Sequence, residues 1–218
     1  MRTLELIDKF DCTPDEFWDT FLDPVFTAEL DAQAGLVSRE ELMIVDDAEK
    51  FHSRFRITPR RELPPHVQQM LQNGLKFLQQ IVNSGSATDD LPEPMRKMIK
   101  WGKSAFKGLL KQGSSDAPPK ASDITLTYIE EGLFKRDEKI LRWRITPELF
   151  KDVCDFTGTI EAIPEDGGCR RVIKGRINLA IPGVGEVLEQ HLIEDIERHH
   201  KAAAELTRKW LASARNRK

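Results

Sequence analysis

Long apolar runs are missing from this chain. Its first ten residues, Met1 to Phe10, already carry Glu5, Asp8 and Lys9. Neither a secretory leader nor a membrane-spanning segment is expected there. A large charge of either sign is missing too. Lys and Arg number 33 and Asp and Glu 36, a net charge of −3, which gives no global pull toward nucleic acid. Cysteine is scarce. Cys12, Cys154 and Cys169 are an odd set without metal-type spacing, and reduced thiols in a cytoplasmic protein are the simplest expectation. No G-x-S-x-G, phosphate-binding loop or HExxH is present, so no catalytic residue is named and neither cofactor nor metal is expected. Finally, no Pro or Gly follows Gly185.

That last absence frames what is present. Leu188, Leu192, Ile196, His199, Ala203, Leu206 and Trp210 recur at intervals of four and three, the stripe of one long amphipathic helix from Gly185 to Trp210. Its length is roughly 40 Å at 1.5 Å per residue, so it needs a long partner surface. Upstream strand patterns supply the only apolar surface of that size. The chain has 218 residues, 39% apolar and 32% charged, which fits one soluble globular domain able to bury a core.

Taken in order, Thr3 to Phe10 alternates as a strand with Leu4, Leu6 and Phe10 on one side. Thr13-Pro14-Asp15-Glu16 is a capping box that opens a helix carrying Phe17, Trp18, Phe21 and Leu22 inward. A second short helix ends near Gly35. Leu36 to Val45 and Lys50 to Thr58 are strands around an Asp46-Asp47-Ala48 turn. In the second of these, Phe51, Ser53, Phe55 and Ile57 face inward, while His52, Arg54, Arg56 and Thr58 form a wet outer face. The strand texture is lost between Pro64 and Ala121. A Gln-rich helix from His66 to Val82 and a basic helix from Pro94 to Lys111 are expected there. Polar linkers Asn83 to Pro92 and Gln112 to Ser122 flank the basic helix. Strands resume as Ile124 to Glu131, Lys139 to Thr146, Val153 to Ile163 and Cys169 to Ile181. A hairpin at Glu165-Asp166-Gly167-Gly168 joins the last two. The predicted class is α+β: a curved antiparallel sheet gripping one C-terminal helix.

Three stretches resemble a known family. Thr13 to Pro24 (TPDEFWDTFLDP) is similar to the opening helices of START-like domains, the birch-pollen-allergen-like helix-grip fold. Gly167 to Glu189 and Leu192 to Leu211 look like the last strand and closing helix of a bacterial branch of uncharacterised function. The resemblance covers residues 1–62 and 122–211. It implies a single domain over 1–218, about seven strands wrapped around the C-terminal helix, and an apolar cavity between them. Family members bind lipids, sterols or polyketides there, and some are cyclases. The segment 64–121 departs from the pattern as a helical insertion.

The facing strand and helix stripes predict a pocket lined by Phe55, Ile57, Trp143, Ile173, Ile177, Leu179, Leu188, Leu192 and Ile196. Gly175 is expected to leave room in it. On the closing helix His191, Asp195 and His199 form an i, i+4, i+8 ladder. Its ends are roughly 12 Å apart, too far for one metal ion. A hydrogen-bonded ladder is the plain reading, and a polar spot that meets a ligand through Asp195 and His199 is the functional one. On the basic helix Arg96, Lys97, Lys100, Lys103, Lys107 and Lys111 fill one half of the wheel. Met95, Met98, Ile99, Trp101, Ala105, Phe106, Leu109 and Leu110 fill the other, with no acid between. Either that apolar face packs on the protein and the lysines are solvated, or the helix lies on an anionic membrane. The membrane reading assigns Lys97, Met98, Lys100, Trp101, Lys103, Phe106, Lys107 and Leu110 to the contact. The partners expected are a lipid or other apolar molecule and an anionic membrane surface, not nucleic acid. Oligomeric state stays open. The function this favours is non-enzymatic carriage or sensing of an apolar ligand in a cytoplasmic protein at the membrane periphery. Two alternatives stay open: a cyclase- or hydrolase-type enzyme using the same cavity, and an interaction module using the insertion.

Overall fold

The computed structural model describes residues 1–59, 127–148, 154–179 and 185–215, together with positions 65, 69, 73 and 96. The elements run β1 (Arg2–Phe10), α1 (Pro14–Phe21), α2 (Pro24–Ala34), β2 (Leu36–Asp46), β3 (Lys50–Pro59), β4 (Tyr128–Lys135), β5 (Ile140–Pro147), β6 (Cys154–Glu165), β7 (Gly168–Leu179) and α3 (Gly185–Arg215). The seven strands form one antiparallel sheet in the order β1-β7-β6-β5-β4-β3-β2. β1 and β2, adjacent in the chain but for two helices, thus hold opposite edges.

Local chemistry accounts for the joints. Thr13 Oγ1 accepts from the Glu16 amide at 3.2 Å, and the Glu16 carboxylate accepts from the Thr13 amide at 3.0 Å. This reciprocal box satisfies two amides that the first turn of α1 leaves open. Asp23 Oδ1 does the same for α2 through the Val25 amide at 2.7 Å. Gly35 ends α2 at φ 65°, the left-handed cap that glycine adopts without penalty. Asp47 Oδ1 accepts from both Glu49 and Lys50 amides at 2.9 Å, which closes the β2–β3 turn.

One sheet face is wet and carries ion pairs such as His52–Glu131 at 2.9 Å and Arg56–Glu148 at 2.8 Å. The other face holds the core in two parts. Phe17 of α1 is fully buried, and Phe10, Trp18, Phe134, Leu141, Ile160, Cys169, Ala204 and Leu211 pack with it. The second part joins Leu4, Phe156, Ile177 and Leu179 to the first half of α3. Trp143 touches both. Phe26 of α2 is fully buried and meets Trp210 of α3 edge-on, ring centroids 5.5 Å apart.

Two expected boundaries shift. β4 begins at Tyr128 and runs on to Lys135 rather than ending at Glu131. The acids Glu130 and Glu131 break the apolar alternation without breaking the ladder. α3 continues beyond Trp210 to Arg215, since no Pro or Gly stops it. The expected insertion over 64–121 lies outside the described residues except for positions 65, 69, 73 and 96, which are helical and exposed.

Candidate functional site

The sheet's inner face carries a row of mostly small residues at mid-height, broken by Trp143 and closed by Leu4. The ladders place Ser53, Gly132, Trp143, Gly158, Gly175 and Leu4 side by side on β3, β4, β5, β6, β7 and β1. Trp143 lies over its glycine neighbours. A β-carbon on Gly158 would stand 2.4 Å from the indole Cζ2, and one on Gly175 would stand 3.1 Å from it. Leu4 Cδ2 covers Gly175 from the other side at 3.1 Å. The room that Gly175 was expected to leave is therefore taken by Trp143 and Leu4. A glycine beside a large ring invites the ring to fill the gap.

Above this floor runs the first half of α3. Leu188, Leu192, Ile193 and Ile196 pack on the same buried cluster as Leu6, Trp143, Ile145 and Cys154 of the sheet, and all eight are only partly buried. Ile177 and Leu179 beneath them are buried at 1% and 7% exposure. The end of β7 is held to α3 by Glu189, which is buried and accepts the Leu179 amide at 2.8 Å.

Of the residues expected in a pocket, the fold gathers Trp143, Ile177, Leu179, Leu188, Leu192 and Ile196 into one apolar cluster. Ile173 joins the adjoining cluster and meets the first through Trp143. Phe55 and Ile57 stand on β3 in neither cluster. Ile57 is 1% exposed, and Phe55 lies under the Arg39 guanidinium at 3.7 Å. His199 is half-buried, and the Asp195 side chain lies outside the described residues. His191 lies with Arg2, Glu186, Val187, Gln190 and Glu194 around an open groove of about 430 Å³. That groove is on a different stripe of α3 from Leu188, Leu192 and Ile196. Lys97, Met98, Lys100, Trp101, Lys103, Phe106, Lys107 and Leu110 all lie outside the described residues. Among the described residues, no group of three or more His, Cys, Asp or Glu could hold a metal, and no helix is long and apolar enough to cross a membrane.

Two polar clusters on the inner face escaped the sequence reading. In the first, Arg39 of β2 forks between Asp31 of α2 at 3.2 Å and Glu130 of β4 at 3.4 Å. Withdrawal from water pushes the Glu130 carboxyl up. The Arg39 charge offsets part of the rise, and Asp31 adds to it. Burial pushes Asp31 up as well, against the same Arg39. One cation shared by two acids leaves both carboxyls more prone to keep a proton, the condition for a hydrogen-bond donor or general acid.

In the second cluster, Asp8 of β1 receives Nη2 of Arg171 at 2.6 Å and lies 2.6 Å from Nε2 of His200. Arg171 Nη2 also stands 3.4 Å from His200 Nδ1. Burial alone would raise Asp8. Hydrogen bonds from His200 and Arg171, and their charges, outweigh it and hold the carboxyl at about 2. Burial pulls Arg171 down, with Asp8 opposing. This cluster ties the second half of α3 to the β1–β7 edge, while Glu189 and partly buried apolar contacts hold the first half.

A family described as a protein of unknown function (DUF2505) matches residues 126–211, less than half of the chain. No curated protein matches the sequence. Solved structures match along nearly all of it at low identity. TTHA0849 from Thermus thermophilus is 13% identical with a TM-score of 0.53, the match covering 98% of this chain and 99% of that one. Ara h 8.0201 is 8% identical with a TM-score of 0.52, over 97% of this chain and 98% of that one. Norcoclaurine synthase from Thalictrum flavum, in complex with dopamine and hydroxybenzaldehyde, is 9% identical with a TM-score of 0.52, over 97% and 87%. Together with the strand order and the long closing helix, these likenesses establish the fold: the chain has the START-like, birch-pollen-allergen-like helix-grip fold, with a curved, unclosed sheet of seven strands.

Proposed function

We propose that the protein binds a lipid or other apolar small molecule between the inner face of the sheet and the first half of α3, and carries or senses it without transforming it. One observation carries the reading. Leu188, Leu192, Ile193 and Ile196 on α3 and Leu6, Trp143 and Ile145 on the sheet pack around one buried cluster yet stay only partly buried. Apolar side chains on facing surfaces normally close onto each other. A face that stays accessible is one a ligand can complete. The norcoclaurine synthase structure, of the same fold, holds small aromatic molecules. The ligand-contact set is Trp143, Ile173, Ile177, Leu179, Leu188, Leu192 and Ile196. Phe55, Ile57, Asp195 and His199 form its outer members.

The basic helix expected over 94–111 extends this reading to an anionic membrane surface, where ligand would enter and leave. Each cation there contributes about 1 kcal/mol near such a surface. A second reading, an enzyme acting on an apolar substrate, is favoured by the Asp31–Arg39–Glu130 cluster. Its carboxyls are pushed toward the protonated form.

Native mass spectrometry of the purified protein tests the binding. A co-purified lipid, or saturable uptake of an added fatty acid, supports it. An empty protein that takes up no fatty acid, sterol or aromatic probe overturns it. Flotation with vesicles that do or do not contain phosphatidylserine tests the membrane contact. Recovery should need the anionic lipid and vanish in a Lys100→Glu, Lys103→Glu, Lys107→Glu triple variant. Conversion of the bound molecule during incubation would move the assignment to the enzyme.

A further inference from the structure

We propose that Cys12 and Cys169 are a latent disulfide site, closed by a peroxide-class oxidant into a cross-link between the entry to α1 and the start of β7. The inference rests on placement and is independent of the ligand reading. The two sulfurs stand 3.7 Å apart and are 157 positions apart in sequence. All three cysteines of the chain are in the thiol form.

Backbone, not side-chain chance, holds the pair together. The β1–β7 ladder ends with Phe10 opposite Cys169. The chain then crosses directly over Gly168. A β-carbon on that residue would stand 2.0 Å from the Phe10 carbonyl oxygen and 3.1 Å from the Asp11 Cα. Only the missing side chain lets residues 10–12 press against the start of β7. Thr13 then caps α1 and fixes the direction in which the chain leaves. Cys12 is thereby set against Cys169 by one ladder, one close crossing and one helix cap. Cys154 is on β6, at the opposite end of the β6–β7 ladder, opposite Leu179.

The chemistry closes on itself. One thiolate sulfur attacks a peroxide oxygen, and the O–O bond breaks. The products are a sulfenic acid and one water. The second sulfur attacks the sulfenic sulfur, the S–S bond forms, and the S–O bond breaks to release a second water. Two thiols and one peroxide give one disulfide and two waters. The oxidant must be small, because Cys12 and Cys169 are only 3% and 1% exposed. Attack through the Cys169 sulfur is also slowed. Burial pushes the Cys169 thiol up, and the contact with Cys12 and the charge of Arg171 offset only part of that.

The experiment treats the reduced full chain with hydrogen peroxide and counts thiols after denaturation. The count should fall from three to one. The intact mass should drop by two hydrogens, and peptide mapping without reductant should join the Cys12 peptide to the Cys169 peptide. Cys154→Ser should cross-link as wild type does. Cys12→Ser, checked for folding by circular dichroism, should not cross-link. The oxidised wild type should melt at a higher temperature than the reduced form, with the gain reversed by dithiothreitol. A count that stays at three, oxygen addition without a cross-link, or a bridge to Cys154 would overturn the site. The wild-type peptide map decides the matter even where a variant fails to fold.

Discussion

Trp143 lies against the backbone of Gly158, so close that a β-carbon on that glycine would stand 2.4 Å from the ring. The ring reaches from β5 across β6 to Gly175 on β7, and so ties three strands and both halves of the core. Gly158→Ala has no relief, because its new carbon also meets the Lys174 carbonyl oxygen at 2.1 Å. Overpacking of this kind costs about 1–3 kcal/mol. Gly175→Ala meets only side chains, Leu4 and Trp143, and no closer than 3.1 Å, a smaller overlap. Urea melts should therefore rank Gly158→Ala well below Gly175→Ala. Equal midpoints would show that the ring does not lie against Gly158.

The stripe on α3 makes a second expectation sharp. Leu192 rests on the apolar floor with Leu188 and Ile196. Leu192→Asp places an unpaired charge there and should cost several kcal/mol. Val187, on the same helix but exposed, is the control. Val187→Asp should stay within about 0.5 kcal/mol of wild type. A thermal melt that treats the two alike would remove α3 from the sheet.

These contrasts show what the sequence could convey. The stripe Leu188–Leu192–Ile196 and the alternation Ile173–Gly175–Ile177–Leu179 have clear periods, and the two elements appear where the periods put them. The capping box at Thr13 is equally local. What Gly175 does is not local. Room on one strand is filled by a ring two strands away, and no period records that. Asp8 was legible and passed over. It shares its parity with Leu4, Leu6 and Phe10, so alternation alone sends it inward, just as it sends Arg171 inward with Ile173 and Ile177. Glu130 has the same parity as Gly132 and Phe134. A charge on an apolar parity was the available signal for both polar clusters. The partners His200 and Arg39 come from elements distant in sequence and carry no such mark. The pairing of Cys12 with Cys169 is hidden for the same reason.

Glu130 should make the protein slightly less stable as it ionises. Its carboxyl is pushed above the ordinary 4.5, so ionisation costs more in the folded chain than in the unfolded one. The penalty is absent below 4.5, grows as pH rises through the raised value, and is complete above it. Glu130→Gln lacks the penalty. It should be the more stable protein at neutral pH, with the difference vanishing on acidification to pH 4. Denaturation midpoints across pH check this, and a variant weaker than wild type at pH 7 would show that the Arg39 contact outweighs desolvation.

Asp8 has the opposite sign. Its carboxyl sits at about 2 against an ordinary 3.8, so the folded chain favours the ionised form. That preference is worth about 2 kcal/mol at 1.36 kcal/mol per unit. The stability is fully present above 3.8 and is lost as pH falls toward 2. Asp8→Asn removes it at every pH. It also leaves the Arg171 charge, 3% exposed, buried without a carboxylate, so the loss at neutral pH should exceed the linkage value alone. In a pH series of denaturant melts, wild type should lose stability between pH 4 and pH 2, and Asp8→Asn should start lower and fall less over that interval. The first half of α3 should stay as protected as before in hydrogen exchange, while the turns around His200 and Arg208 exchange faster, because Asp8 holds only the second half of the helix. Parallel pH profiles for the two proteins, or uniform loss of protection along α3, would mean that the cluster does not anchor the helix.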